Sequence, residues 1–123
     1  MRGSRSHHQL QAWQEAMTLV KMVYTATSTF PQSEIYGLTS QMRRAAVSVP
    51  SNLAEGAART GTKEFLQFLS ISRGSLSELE TQILIAKDLD YIKNEGEILK
   101  QIDKIFGLIG GLMNSLRKRS ART

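Results

Sequence analysis

Apolar residues recur every three or four positions in four segments of the chain, which is the spacing of one helix face. The segments are marked by Leu10, Trp13, Met17, Val20, Tyr24 and Thr27; by Leu38, Met42, Ala45, Ala46, Val49 and Leu53; by Phe65, Phe68, Leu69, Ser72, Leu76, Leu79, Ile83 and Ala86; and by Ile98, Ile102, Ile105, Ile109, Leu112 and Leu116. Polar breaks near residues 29–33, 59–62 and 90–96 separate them. No stretch alternates apolar and polar residues long enough to predict a sheet. Because short connections make successive helices neighbours, the pattern predicts an all-α fold, an antiparallel up-down four-helix bundle.

Two of these helices carry more apolar residues than one stripe needs. The additional residues are Ala12, Ala16, Leu19, Val23 and Ala26 in the first helix and Leu66, Ile71, Leu84 and Ile85 in the third. A lone bundle would expose them, and contiguous exposed apolar patches usually mark association surfaces. The surplus predicts a homo-oligomer with these residues in the subunit contacts. Scattered surface hydrophobic residues, which are normal in a monomer, are the alternative.

A patch of small residues lies in the third helix around Gly74. Its neighbours are Ser70, Ser72, Ser75 and Ser77. Small side chains let another backbone approach closely, so this stretch is a candidate for tight helix packing. A weak, exposed stretch of helix is the alternative.

Positive charge is concentrated at the two ends of the chain. The sequence has 16 Lys and Arg, 11 Asp and Glu, and a formal net charge of +5. Six of the basic residues and none of the acidic ones lie before Glu15 or after Leu116, so the body of the chain is nearly neutral. Basic clusters permit contact with nucleic acid or an anionic membrane, although basic tails also simply keep proteins soluble.

Residue types that carry most enzyme and metal chemistry are scarce. The chain has no Cys, and its only histidines, His7 and His8, are adjacent in a polar stretch. Thiolate metal sites, disulfides and a Cys nucleophile are therefore excluded, and no Glu-x-x-His pair offers a di-metal bundle site. We expect no catalytic residues, no metal site and no cofactor.

The chain divides into three parts. Residues 1–9 are interpreted as a disordered or tag-like segment, residues 10–116 as the bundle domain and residues 117–123 as a basic C-terminal tail. The start of the chain lacks the apolar core of a signal peptide. The most apolar run, residues 105–116, is too short for a membrane-spanning helix and continues a core stripe. We therefore expect a cytoplasmic protein without membrane contact.

Three long motifs resemble one known family. Residues 10–17 read LQAWQEAM, residues 30–59 read FPQSEIYGLTSQMRRAAVSVPSNLAEGAAR, and residues 63–92 read KEFLQFLSISRGSLSELETQILIAKDLDYI. They closely resemble the four-helix-bundle family of proteins encoded in 23S ribosomal RNA intervening sequences, a group that includes accessory proteins of diversity-generating retroelements. The resemblance covers residues 10–116 and implies a bacterial protein whose bundle assembles into a homopentameric barrel. For retroelement members it also implies binding of nucleic acid and of a reverse transcriptase.

The leading functional hypothesis is a non-catalytic, oligomeric scaffold that binds RNA or DNA. In a ring, a modest basic patch is multiplied by the number of copies. The candidate phosphate contacts are Arg44, Arg59, Lys63, Arg73, Arg117, Lys118 and Arg119. Because the aromatic residues mostly fall on core positions, no stacking platform is expected, and binding would depend on shape and charge. The alternative is a protein–protein adaptor in which the charges only select the partner.

Overall fold

Four long α-helices account for most of the chain. The computed structural model describes residues 5–122, and the side chains of residues 5–121. The helices are α1 (Gln11–Thr27), α2 (Leu38–Ala57), α3 (Thr62–Asp88) and α4 (Glu95–Arg122), and short 3-10 helices span Ser6–Gln9 and Gln32–Glu34. No strand occurs in residues 5–122. The all-α class and the four helices that the apolar spacing predicts are therefore confirmed.

Each helix packs against two others around one hydrophobic core. The contacting pairs are α1 with α2, α2 with α3, α3 with α4, and α1 with α4. Large side chains from all four helices are fully buried there: Leu19, Met42, Leu53, Leu69, Leu76, Leu79, Ile83, Ile98, Ile102, Ile105, Ile109 and Met113. Burial of this apolar surface is the main force that holds the helices together.

The second apolar stripe of α1 belongs to this core, and the expectation that it forms a subunit contact is wrong. Ala12, Ala16, Leu19 and Val23 are buried within the single chain, and Ala26 is partly buried. Tyr24, by contrast, was assigned to the core stripe and is exposed. Periodicity shows that α1 has a wide apolar face but does not show which part its neighbours cover.

The additional apolar residues of α3 have a different environment. Ile71, Leu84 and Ile85 are exposed, each by more than 40% of its surface, and Leu89 joins them. Leu66 is only partly buried against the core. Of the two predicted surplus sets, the one on α3 therefore remains largely exposed and the one on α1 does not.

Hydroxyl groups join α2 and α3 in the middle of their contact. The fully buried Ser72 hydroxyl donates a hydrogen bond to the carbonyl oxygen of Val49, at 2.9 Å. The hydroxyls of Ser48 and Ser75 lie 2.8 Å apart. The predicted small-residue patch thus packs against α2 through these two serines of α3. Gly74 itself is exposed, and no atom lies within 4 Å of where its Cβ would be.

Helices α2 and α3 approach each other closely at Gly56, near the end of α2. A Cβ added at Gly56 would lie 2.8 Å from the Cβ of Phe68 and 2.9 Å from Cδ1 of Phe65. Both phenylalanines belong to α3, so only glycine lets α2 and α3 meet at this distance.

The described parts of both end segments are helical. Residues 6–9, assigned above to a disordered or tag-like segment, form a 3-10 helix whose Ser6 hydroxyl donates to the carbonyl of Ala57, at 3.4 Å. The rings of His7 and His8 each lie 5.1 Å from that of Trp13. At the other end α4 continues through Arg122, so residues 117–122 extend the last helix. Residues 1–4 and 123 lie outside the described part.

Candidate nucleic-acid interface

Two of the predicted phosphate contacts, Lys63 and Arg117, share one groove. It has a volume of about 520 Å³, and its other lining residues are Leu66, Gln67, Phe68, Ser70, Ile71 and Met113. Lys63 is in the first turn of α3 and Arg117 in the last third of α4, so residues 54 positions apart in sequence meet only through the contact of these helices. Both side chains are exposed, and neither is paired with a carboxylate of the described residues.

Lys118 and Arg119 continue the positive charge along α4. Both are exposed, and both follow Arg117 on the last turns of the helix. Lys63 and Arg117, which line the groove, and Lys118 and Arg119, which follow on α4, are hereafter called the Lys63–Arg119 cluster.

Arg59 lies near this end of the molecule but its charge is already offset. Its guanidinium is 3.1 Å from Glu55 and 4.0 Å from Glu64, and it stacks 4.9 Å above the ring of Phe68. Both carboxylates would repel a phosphate at the same position. Exposed ion pairs of this kind contribute little to stability, but they make Arg59 a poor phosphate contact.

Arg44 and Arg73 are not part of the cluster. Arg44 donates a hydrogen bond to the hydroxyl of Ser40, at 3.2 Å. It also lines a groove of about 280 Å³ between α2 and α3 together with Glu78 and Gln82. Arg73 is exposed in the middle of α3. The seven predicted residues therefore do not converge on one site.

A second basic surface, which the sequence did not reveal, lies between α1 and α2. The guanidinium of Arg43 lies 4.5 Å above the ring of Tyr24 and donates from Nε to the hydroxyl of Thr27, at 2.8 Å. Arg43 and Arg44 border the same groove of about 450 Å³. The signal available in the sequence was the adjacent pair Arg43-Arg44, of which only the second was selected.

Two tyrosine side chains reach the surface, whereas the expectation that no stacking platform accompanies the phosphate contacts stays a prediction. Tyr24 is 43% exposed and Tyr36 is 95% exposed. Most other aromatic side chains, including Trp13 and Phe30, are buried or packed against the core, as expected. Tyr36 lies in the turn just before α2, outside the helical pattern that places side chains in the core, and it is exposed.

Polar contacts away from these surfaces fasten α4 to α1. The side-chain amide of Gln101 donates to both the backbone and the carboxylate oxygens of Glu15, each at 2.9 Å, and Lys104 lies 3.2 Å from the same carboxylate. The hydrogen bond from Gln101, followed by the interaction with Lys104, lowers the pKa of Glu15. Glu15 is thus held ionised as a structural acceptor.

Comparison with known families decides where the chain belongs. Residues 8–111 match the family model described as 23S rRNA-intervening sequence protein. The chain belongs to this family. The family description names no catalytic activity, and no curated protein matches the chain.

The match to the 23S rRNA-intervening sequence protein family covers one basic surface fully and the other only in part. The matched residues include Tyr24, Tyr36, Arg43, Arg44 and Lys63. They stop before Arg117, so most of the Lys63–Arg119 cluster lies outside the part that defines the family.

Neither a metal centre nor a membrane span is found in the part of the chain that the structure describes. No three His, Asp or Glu residues of that part are grouped so that they could hold a metal ion. None of its helices is long and apolar enough to cross a membrane.

Proposed function

We propose that this protein is a non-catalytic, homo-oligomeric antiparallel four-helix bundle that binds RNA or DNA in the bacterial cytoplasm. The observation that carries the proposal is the shared groove of Lys63 and Arg117, which brings two unpaired cations of distant sequence together. Lys118 and Arg119 extend that charge, and phosphate contacts of this type supply most of the affinity in non-specific nucleic-acid binding.

The antiparallel order of α2 and α3 is supported by their contacts. Position 48 of α2 contacts position 75 of α3, whereas position 56, farther along α2, contacts the earlier positions 65 and 68. For α1 and α4, Glu15 near the start of α1 contacts Gln101 and Lys104. Thr25 at the end of α1 instead borders one groove with Asn94 and Glu97 at the start of α4, which supports an antiparallel order here too.

Self-association is supported by the exposed apolar residues of α3. Ile71, Leu84 and Ile85 of α3 are exposed, as is Leu89 directly after its end, and a chain gains by covering exposed apolar side chains. The number five and the barrel come from the resemblance to the family. In a pentameric ring the Lys63–Arg119 cluster would be present five times, and the summed field would attract nucleic acid strongly.

The proposal is tested by titrating labelled RNA and DNA at several salt concentrations. We expect binding at about 50 mM salt that weakens steeply as the salt concentration rises, because bound cations release counterions from the phosphates. The double variant Lys63→Gln/Arg117→Gln should weaken binding of every sequence and flatten the salt dependence. Each lost contact to a single strand lowers the slope of log K against log salt by about 0.7.

The matched control is Lys21→Gln/Lys93→Gln, which removes the same charge elsewhere. Lys21 is exposed on α1 and borders α4, and Lys93 is exposed in the connection between α3 and α4. If this control weakens binding as much as the double variant, only net charge matters and the cluster is not the site. Absence of binding at about 50 mM salt contradicts nucleic-acid binding altogether.

A protein–protein adaptor is the second candidate, and the exposed apolar residues of α3 favour it. Under this function the ring would dock another protein, such as the reverse transcriptase implied by the resemblance to retroelement members. Binding of that partner should then survive the loss of Lys63 and Arg117 and be abolished when Ile85 is replaced by a charged residue.

A further inference from the structure

The groove between α1 and α2 has the chemical character of a binding site for unpaired nucleotides. It is bordered by aromatic, aliphatic, hydroxyl and cationic side chains: Tyr24, Ile35, Thr39, Ser40, Arg43, Arg44 and Val47. Tyr24, Ile35 and Val47 are each at least 40% exposed. Tyr36 follows Ile35 directly and is almost completely exposed.

The two arginines of this groove are held in place but not neutralised. Arg43 donates to the Thr27 hydroxyl and, from Nη2, to the carbonyl of Tyr24, at 3.4 Å. Arg44 donates to the Ser40 hydroxyl. All of these acceptors are uncharged, and no described carboxylate forms an ion pair with either arginine. The groove therefore presents two oriented positive charges, which suit an anionic ligand.

The aromatic rings indicate that the anionic ligand also carries flat rings that can stack. Arg43 covers one face of the Tyr24 ring, and the paired guanidinium and ring offer a stacking plane. Tyr36 is 95% exposed, so a ligand can approach its ring. Bases of a single strand stack on such rings while neighbouring cations follow the backbone, whereas the bases of a duplex are already stacked on each other.

We propose that Tyr36, Tyr24, Arg43 and Arg44 form a single-strand binding site in which unpaired bases stack on the tyrosines and phosphates contact the arginines. This inference rests on the proposed nucleic-acid binding and names its substrate class. Arg44 is separated from the end of α2 by 13 residues, or about 20 Å of helix. The site is therefore distinct from the Lys63–Arg119 cluster.

The test compares a labelled single strand with a duplex of the same sequence, using the full chain. Tyr36→Leu should weaken binding of the single strand by about 5-fold to about 150-fold, the range for loss of one stacked base. It should leave duplex binding unchanged. Tyr36→Phe keeps the ring and should bind both ligands like the wild type. Because the Tyr36 side chain is so exposed, neither variant should impair folding, which circular dichroism checks.

Arg44→Gln and Lys21→Gln each remove one positive charge, and together they test whether the position of the charge matters. Arg44→Gln should weaken single-strand binding and lower its salt dependence, and Lys21→Gln, which changes the α1 face that borders α4, should not.

The other outcomes distinguish failure of the single-strand site from failure of nucleic-acid binding as a whole. If Tyr36→Leu binds the single strand like the wild type while Lys63→Gln/Arg117→Gln loses binding, the site is wrong and nucleic-acid binding stands. If Tyr36→Leu lowers the solution mass measured by light scattering, the surface is a contact between copies, and the site is also wrong. If the wild type binds neither ligand, both proposals fail.

Discussion

The hydroxyl of Tyr91 donates a hydrogen bond to Oε2 of Glu34, at 3.0 Å, and so joins the α3–α4 connection to the α1–α2 connection. Oε1 of the same carboxylate accepts the backbone N–H of Leu38, the first residue of α2, at 3.1 Å. The ring of Phe30 lies 5.5 Å from that of Tyr91. One carboxylate thus satisfies the start of α2 and holds the two connections together.

Removal of the Tyr91 hydroxyl should destabilise the protein by no more than the loss of its hydrogen bond to Glu34. Tyr91→Phe keeps the ring against Phe30, so we expect a small decrease in the thermal midpoint at pH 7, measured by circular dichroism. Glu34→Gln should lower it as well, because a neutral amide is a weaker acceptor for both donors. A Tyr91→Phe midpoint equal to that of the wild type would show that the hydrogen bond contributes nothing.

The same pair predicts a dependence on alkaline pH. The hydrogen bond to Glu34, then burial, raises the pKa of Tyr91 above its ordinary value of 10.0. A raised phenol pKa means that the folded state favours the neutral form, so this contribution is complete below about pH 10 and is lost as the pH rises through the folded pKa. The difference in stability between the wild type and Tyr91→Phe should therefore shrink at high pH. A difference that stays constant from pH 8 to about pH 11 contradicts the assignment.

Glu15 predicts the opposite behaviour in acid. Its pKa is lowered by the Gln101 hydrogen bond and by Lys104, so its contribution is present above the ordinary value of 4.5 and is lost as the pH falls through the folded pKa. Glu15→Gln should cost at most about 1 kcal/mol at pH 7, since the ion pair is partly exposed. Chemical denaturation at pH 7 and in acid measures the difference in unfolding free energy between the wild type and Glu15→Gln. This difference should shrink in acid. If it stays unchanged there, the cost of the substitution comes from packing and not from the charge of Glu15.

Two glycines in neighbouring helices should respond to alanine with opposite signs. In Gly56→Ala the new methyl would meet the Cβ of Phe68 at 2.8 Å, which is attached to the α3 backbone and cannot move alone. We expect a loss of about 1 to 3 kcal/mol from overpacking. Gly74→Ala meets nothing within 4 Å on an exposed helix position and should gain up to about 1 kcal/mol from helix propensity. Denaturant unfolding of both variants measures this, and a stabilised Gly56→Ala would contradict the close approach of α2 and α3.

Substitutions of buried apolar residues should lower stability, whereas substitutions of exposed apolar residues on α3 should lower the oligomeric mass. Leu19→Ala removes a fully buried side chain and should cost about 2 to 5 kcal/mol. Leu84→Gln/Ile85→Gln changes two exposed side chains, so the fold should survive while the solution mass falls. Ser77→Gln, at an exposed polar position of the same helix, is the control and should keep the wild-type mass. A mass unchanged by the Leu84 and Ile85 substitutions would remove α3 from the contacts between copies.

The helices were predictable because their evidence is local. The run Met42, Ala45, Val49 and Leu53 repeats at helical spacing, and each of these residues is buried on one face of α2. The polar breaks of the sequence fall where the structure has its connections, residues 58–61 and 89–94 among them. Spacing of this kind depends only on the 3.6-residue turn, which no distant residue alters.

The surfaces were less predictable, since they depend on which helix lies beside which. Both stripes of α1 are apolar, and only the positions of α2 and α4 decide that Ala16 and Val23 are buried while Tyr24 is exposed. Arg59 was as strong a candidate in sequence as Lys63, yet Glu55 and Glu64 meet its guanidinium and leave Lys63 beside Arg117. Periodicity along one chain thus sets which faces are apolar, and the pairing of faces, which brings together atoms far apart in sequence, decides what remains available to a ligand.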